Sequence, residues 1–397
     1  MNRDQGSVRH LLLLLLAAAC TNAQTTVDLS APLAAAANHN ANPGAAALCT
    51  ARAGDVLGFA VVKGGKLVAS SGPSSTEDVW SVTKTWVATL VGIMVQKSIV
   101  KLSTTLEEAL PSVDWARVDS ASDKKKITIG QMLSMSSGLE ANCLRYGDQS
   151  TVEAVLSSPS FSSALVGKFY YLCSGSILSY VIYHNTGKTP LAYAQTELFP
   201  VLGISRSVVW GPAHGSAGIQ ETGHGLILGP EELAKLGQLY RQGGATGGTE
   251  STQLISAEFV AASKTNQLQP TGEKIPTSTL KYLGSACKFK SNGVGYGYMK
   301  WLFETPKGSA DCAVGHGGQF ICTWPDLDTV VAITSSVTSD YTSSCQLLDL
   351  FSDVDLDFES QSTPVDCQSS GAHKYLSSIP ITVMSVLVGI GCIRADL

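Results

Sequence analysis

Charge is scarce in this chain of 397 residues: Asp, Glu, Lys and Arg together make up 15% of it, against roughly 25% in an average soluble protein. Basic surface is scarcer still, because 27 Lys and Arg face 32 Asp and Glu and leave a formal net charge of −5. No broad cationic face exists to neutralise phosphates, so nucleic acid is excluded as an expected partner. The longest basic run, Lys124-Lys125-Lys126, is balanced by nearby acids and reads as a solvated turn. There is no CxxC pair, and the 7 histidines are dispersed, which argues against a zinc cluster. No Asn-x-Ser/Thr sequon occurs, so N-glycosylation is not expected. Prolines number 15 and are scattered, so no extended linker divides the chain. What is abundant is apolar: 44% hydrophobic residues, with 38 glycines. That composition excludes a disordered chain, a coiled coil and a collagen-like repeat, and supplies a large core.

The two ends read as processing or anchoring segments. Arg3, Arg9 and His10 precede the apolar run Leu11–Ala19, and Thr21 and Ala23 stand at −3 and −1 of a cleavage before Gln24. Residues 1–23 are therefore expected to be a secretory signal peptide, a buried N-terminal helix or a lipoprotein signal ending at Cys20 being the alternatives. Residues 24–54 form an N-terminal segment, 55–350 the folded domain, and 351–375 a spacer. The tail, 376–397, holds the apolar stretch Ile379–Ile393 and ends in Arg394-Ala395-Asp396-Leu397. Small residues (Ser369-Ser370-Gly371-Ala372), a polar spacer and an apolar tail fit a glycolipid-anchor signal; a short membrane-spanning helix and a buried terminal helix are the rivals. Both ends point to a secreted or cell-surface protein. With Cys20 and Cys392 set aside, eight of the 10 cysteines remain, namely Cys49, Cys143, Cys173, Cys287, Cys312, Cys322, Cys345 and Cys367. An even set in an oxidising compartment predicts disulfides whose connectivity the order alone does not give.

Between the ends, Val56–Ser71 reads as two strands joined at Lys63-Gly64-Gly65-Lys66. From Val82 onward Trp86, Val87, Leu90, Val91, Met94 and Val95 recur at helical spacing. Thr128 caps a short helix through Leu133 that is expected to end at Gly138. Ile177–Tyr183 is helical and closes at Gly187, and Gly229-Pro230-Glu231-Glu232 opens a helix to Tyr240. Strand character returns at Tyr296–Phe303, Gly318–Trp324 and, after the turn Pro325–Asp328, Thr329–Ser335. A hairpin early, helices in the middle and a meander late predict an α+β fold. Its antiparallel sheet is built from both chain ends and flanked by helices, with a mostly helical second lobe and a cleft between.

The chemistry starts from Ser81-Val82-Thr83-Lys84. Positions i and i+3 share one helix face, so the Lys84 amine can reach the Ser81 hydroxyl. A helix N-terminus offers free N–H groups there, and a lysine partly stripped of water can serve as base to a serine nucleophile. Ser-x-x-Lys occurs five times, at Ser81, Ser98, Ser122, Ser278 and Ser285, but only Ser81 opens a strongly apolar helix. Tyr296, Tyr298, Trp301 and Trp324 read as core or as walls of a hydrophobic pocket.

These residues carry a resemblance. Trp80-Ser81-Val82-Thr83-Lys84-Thr85-Trp86 resembles the nucleophile segment of the class C β-lactamase-related serine hydrolases, which include penicillin-recognising peptidases, esterases and 6-aminohexanoate-dimer hydrolases. Ile127–Leu139, with Ser136-Ser137-Gly138-Leu139 at its end, is similar to the family's T-I-x-x-L-L-x-x-x-S-G-L segment. Gly223-His224-Gly225-Leu226 running into Leu233–Leu239, and Gly315-His316-Gly317-Gly318-Gln319, follow in the family's order. The resemblance covers roughly Val56 to Ser336. It implies a β-lactamase/transpeptidase-like fold with no metal or organic cofactor, acting on a small-molecule or short peptide-like ester or amide.

The resemblance also implies roles. Ser81 would be the nucleophile, Lys84 its base, and a tyrosine in Lys168-Phe169-Tyr170-Tyr171-Leu172-Cys173 their partner. Counting from Phe169 selects Tyr171; counting back from Thr186-Gly187 selects Tyr170. The Asn or Ser that normally follows is missing, with Cys173 in its place if Tyr171 is the match, and a Cys143–Cys173 pairing would tie that loop to the preceding one. His316 replaces the lysine of the K-T-G motif, which removes a fixed attraction for substrate carboxylates. Gly317 and Gly318 would line the substrate, and the backbone N–H groups of Ser81 and Gln319 would form an oxyanion hole. The implied function is a serine esterase or amidase. β-Lactamase or D,D-peptidase activity, and a non-catalytic binding protein on the same fold, are the alternatives.

Overall fold

The computed structural model describes residues 56–72, 78–140, 151–171, 176–205, 207–211, 213–215, 217–247, 251–268, 275, 294–305, 308–336 and 365–366. The signal peptide, the N-terminal segment, most of the spacer, the C-terminal tail and the Cys143–Cys173 pairing lie outside the described residues. Among the described residues, no helix is long and apolar enough to cross a membrane.

The sheet joins the two ends of the domain. Strands β1 (Val56–Lys63) and β2 (Lys66–Ser71) form the expected hairpin, with Gly64 and Gly65 at φ +57° and +76° in its turn, a conformation glycine adopts without strain. After the ribbon β3 (Ser137–Glu140) and β4 (Ser160–Val166) come the two-residue strands β5 (Val209–Trp210), β6 (Ala213–His214), β7 (Ile219–Gln220) and β8 (Leu226–Ile227). The late meander is β9 (Gly295–Tyr296), β10 (Trp301–Thr305), β11 (Gly308–Gly315), β12 (Gln319–Trp324) and β13 (Thr329–Ser335), and β14 (Val365–Asp366) closes the set. The strand order is β14-β2-β1-β13-β12-β11-β10-β9. All pairings are antiparallel except β14 against β2. Phe59 faces Ile333 and Val61 faces Val331, so the earliest strand pairs with the last of the meander. Strands β12 and β13 are buried along their whole length, as expected of central strands covered on both faces.

The helices are α1 (Thr83–Gln96), α2 (Leu106–Ala109), α3 (Ala121–Lys124), α4 (Ile129–Leu133), α5 (Val152–Ser157), α6 (Ser176–Thr186), α7 (Pro190–Glu197), α8 (Pro230–Arg241) and α9 (Ala257–Ser263). In α1, every residue from Thr83 to Met94 is buried; a helix apolar all round is one wrapped by protein on every side. It runs beneath α6 and α7 of the helical lobe and is tied to α8 by Thr89 Oγ1 and the Tyr240 hydroxyl, 3.1 Å apart. Helix α8 lies on β13, β1 and β12, and Gly237 permits its close approach: a Cβ there would stand 2.3 Å from Val330 Cγ1.

Three expectations are corrected. Helix α4 begins at Ile129 with Thr128 in a full capping box with Gln131, but it ends at Leu133; Gly138 belongs to β3. Tyr296–Phe303 is two strands, not one. Gly297 N–H bonds Lys300 O across a turn, and a Cβ on Gly297 would stand 2.0 Å from Ser263 O. Lys124 is no solvated turn residue: it is 1% exposed, its ammonium donates to Leu156 O at 2.7 Å, and burial holds its pKa below the ordinary lysine value.

Candidate active site

Ser81 sits in the 3₁₀ turn Trp80–Val82 that leads into α1. One turn on, Lys84 is 3% exposed, and its Nζ donates to Ser81 Oγ at 2.8 Å and to Gly223 O at 2.9 Å. The spacing read from the sequence therefore produces a direct contact. The turn is fixed by β8: Val79 N–H donates to Leu226 O at 2.9 Å, and Asp78 bridges to Ile227. Gly223 is held in turn, its N–H donating to Glu221 Oε1 at 2.8 Å, and Glu221 is fully buried.

The tyrosine arrives from the helical lobe. Its loop is docked by Gly167 N–H to Ser136 O at 2.8 Å and Tyr170 N–H to Met135 O at 2.9 Å, so the Ser136–Leu139 motif serves as its platform. The Tyr171 ring centroid lies 5.1 Å from Lys84 Nζ, within the range of a cation–π contact. An aromatic box holds that ring: it stacks on Trp301 at 5.6 Å and 26°, while Phe169 packs on Tyr171, Tyr296 and Trp301. Burial first, and then the charge an ionised Tyr171 would carry, push the Tyr296 phenol well above its ordinary value, so Tyr296 is a neutral wall. Of the aromatic residues singled out in the sequence, Trp301 and Tyr296 line this box.

The third contribution is the hairpin between β11 and β12. Gly317 and Gly318 adopt φ +75° and +91°, which explains glycine at both positions. His316 packs edge-on against Trp80 with ring centroids 5.1 Å apart, beside the Ser81 turn. Gln319 directs its side chain into the sheet: Oε1 accepts Ser335 N–H at 3.0 Å and Nε2 donates to Ser335 O. With Gly318 O accepting the Ser335 hydroxyl at 3.1 Å, the backbone at Gln319 is anchored while its side chain takes no part in the pocket. The disulfide Cys312–Cys322 joins β11 to β12 below this hairpin. The other six cysteines expected to pair lie outside the described residues.

The structure thus brings Ser81, Lys84 and Tyr171 together, with His316 beside Trp80 and Gln319 anchoring the adjoining hairpin. Asp78, Glu221 and His224 are additional to the sequence-derived set. Asp78 and Glu221 carry no local sequence signal, whereas His224 lies inside the Gly223-His224-Gly225-Leu226 motif. Among the described residues, no three His, Cys, Asp or Glu side chains group as metal ligands.

One close approach keeps the hairpin on the Ser81 turn. A Cβ at Gly315 would stand 2.4 Å from Val79 O, a backbone atom that no rotamer change can move aside. Gly315→Ala is expected to cost about 1–3 kcal/mol of stability, as overpacking does. It should also lower turnover at temperatures where the variant remains fully folded, because it parts the His316 strand from the Ser81 turn. Thermal melts beside steady-state kinetics test this; unchanged kcat in a folded variant would refute it.

The architecture is that of the β-lactamase/transpeptidase-like fold. Residues 33–349 match the family model described as Beta-lactamase, and the chain belongs to that family. Among solved structures, it is similar to a protein assigned as a 6-aminohexanoate-dimer hydrolase from Bacillus anthracis, with TM-score 0.56, 15% identity and coverage of 75% of this chain and 77% of that one. The octameric penicillin-binding protein homologue from Pyrococcus abyssi gives TM-score 0.55 and 18% identity, with 75% and 73% covered. A family VIII carboxylesterase gives 0.54 and 15%, with 75% and 92% covered. At such identities the likeness is one of fold. A search of curated proteins found no match.

Proposed function

We propose that this protein is a secreted or surface-attached serine hydrolase that cleaves an ester or amide bond of a small substrate through an acyl-enzyme on Ser81. The observation that carries the reading is the 2.8 Å contact between Lys84 Nζ and Ser81 Oγ in a setting where the lysine is buried and faces a phenol ring. In the neutral amine this bond reverses, and the Ser81 hydroxyl donates to the Nζ lone pair. Oγ then attacks the substrate carbonyl while its proton passes to the neutral Lys84 amine, which becomes the ammonium, or to the Tyr171 oxygen when that residue is the phenolate. The proton goes on to the leaving group as the carbonyl re-forms, and water releases the acyl group by the same steps in reverse. Backbone N–H groups of Ser81 and Gln319 are the proposed oxyanion donors.

An imidazole at position 316, where β-lactamases carry lysine, favours esters and amides without a carboxylate beside the scissile bond. The test is a panel of p-nitrophenyl esters, short amides and nitrocefin, with a fluorophosphonate probe and mass mapping of the labelled residue. Ester or amide turnover with the label on Ser81 supports the proposal. Nitrocefin turnover at comparable efficiency would make it a β-lactamase, and absence of both turnover and label would make it a binding protein. Export is tested separately, by N-terminal sequencing of the mature protein, where Gln24 as first residue is the expected result.

A further inference from the structure

The residue before the nucleophile is in an unusual conformation. Trp80 has φ +48°, the left-handed region that glycine tolerates and that strains an L-residue. Such strain persists only where neighbours impose it, and here one carboxylate does so. Asp78 Oδ1 accepts Trp80 N–H at 2.7 Å and also Gly225 N–H at 2.7 Å. Its other oxygen stands 3.4 Å from His224 Nδ1. The indole of Trp80 packs near two imidazoles, with ring centroids 5.6 Å from His224 and 5.1 Å from His316. The same segment that Asp78 grips supplies Gly223 O to Lys84. One side chain therefore joins the turn carrying Ser81 to the segment that aims Lys84.

We infer that Asp78 is a positioning residue for Ser81: its carboxylate holds Trp80 in the left-handed turn and so sets the Oγ–Nζ contact. The inference rests on the hydrolase reading above. Bonds from backbone N–H to a carboxylate are charge-assisted and stronger than neutral ones, which suits a splint that opposes strain. His224 sits on the far side of the carboxylate and limits its rotation.

The test uses the full-length protein and three variants, Asp78→Ala, Asp78→Asn and Asp78→Ala/Trp80→Gly, each first shown to be folded by circular dichroism at the assay temperature. Asparagine keeps an oxygen that can accept both N–H groups; alanine keeps none; glycine at 80 takes the left-handed conformation without strain. In Asp78→Ala, kcat for a p-nitrophenyl ester and the rate of fluorophosphonate labelling at Ser81 should fall together, by on the order of 10–100-fold, with KM within about twofold, as expected of a nucleophile displaced by less than about 1 Å. Asp78→Asn should recover most of that loss and the double variant part of it. An Asp78→Ala protein with a lowered Tm but wild-type kcat and labelling rate would overturn the positioning role alone. A wild-type protein that neither turns over esters nor takes the label would overturn the hydrolase reading, and this inference with it.

Discussion

Ser81→Ala is expected to reduce turnover to the background rate, a loss on the order of 10⁴–10⁶-fold in kcat, and to abolish fluorophosphonate labelling while leaving the melting temperature close to wild type. Ser81 is only half-buried, in the turn that opens α1, so removing its hydroxyl opens no large cavity. Lys84→Ala should cost nearly as much activity, because Lys84 Nζ touches Ser81 Oγ and the two act as one unit. The double variant should accordingly be no worse than either alone. Steady-state kinetics on the three variants decide the matter. Losses that multiply in the double variant would mean that the serine and the lysine act independently.

The second large effect lies beneath the site. Lys300 and Asp311 form an ion pair at 2% and 3% exposure, with Lys300 Nζ also 3.9 Å from the centre of the Tyr240 ring. Asp311 Oδ2 has no hydrogen-bond partner among the described residues. Lys300→Met would leave that carboxylate buried without its direct ion-pair partner, with Lys264 as a remaining cation in electrostatic reach, at a cost of about 3–5 kcal/mol. The double variant Lys300→Met/Asp311→Leu removes both charges and should recover most of the loss, since apolar pairs of similar volume commonly replace buried ion pairs without penalty. Denaturant midpoints of the single and double variants measure the difference. A single variant within about 1 kcal/mol of wild type would show that the pair is solvated in solution. Activity is the informative second readout, because Lys300 immediately precedes β10, whose first residue Trp301 stacks on Tyr171.

What the sequence made legible was local. Ser81 and Lys84 are three residues apart, so helix geometry alone brings them together. Thr128 and Gln131 form their capping box within one turn. Strands β12 and β13 are separated by the tight turn Pro325–Asp328, which makes that hairpin readable, whereas β11 (Gly308–Gly315) is absent from the strands read from the sequence. What stayed hidden depends on partners remote along the chain. Nothing near Asp78 announces that it will meet Gly225 and His224. Nothing in Lys124-Lys125-Lys126 marks the first lysine for a buried carbonyl at Leu156. Tyr296–Phe303 has the composition of a single strand. Its break comes from the close passage of the chain at Ser263 and from the burial of Lys300 against Asp311. Choosing between Tyr170 and Tyr171 by counting gave two answers, because a single-residue shift is invisible to a motif. The ring over Lys84 is that of Tyr171.

The pairing of β1 with β13 also bears on how the chain is made. Phe59 cannot meet Ile333 until nearly the whole domain has left the ribosome, on the order of 15–50 s later at about 5–20 residues per second. During that interval the nascent β1–β2 hairpin has an open edge, and the apolar flank of α1 has no sheet to lie on. Such a chain depends on something holding those surfaces apart until its last third is complete, and a ribosome stalled before residue 329 would release a product with the Ser81–Lys84 pair present and the β1 edge still unpaired.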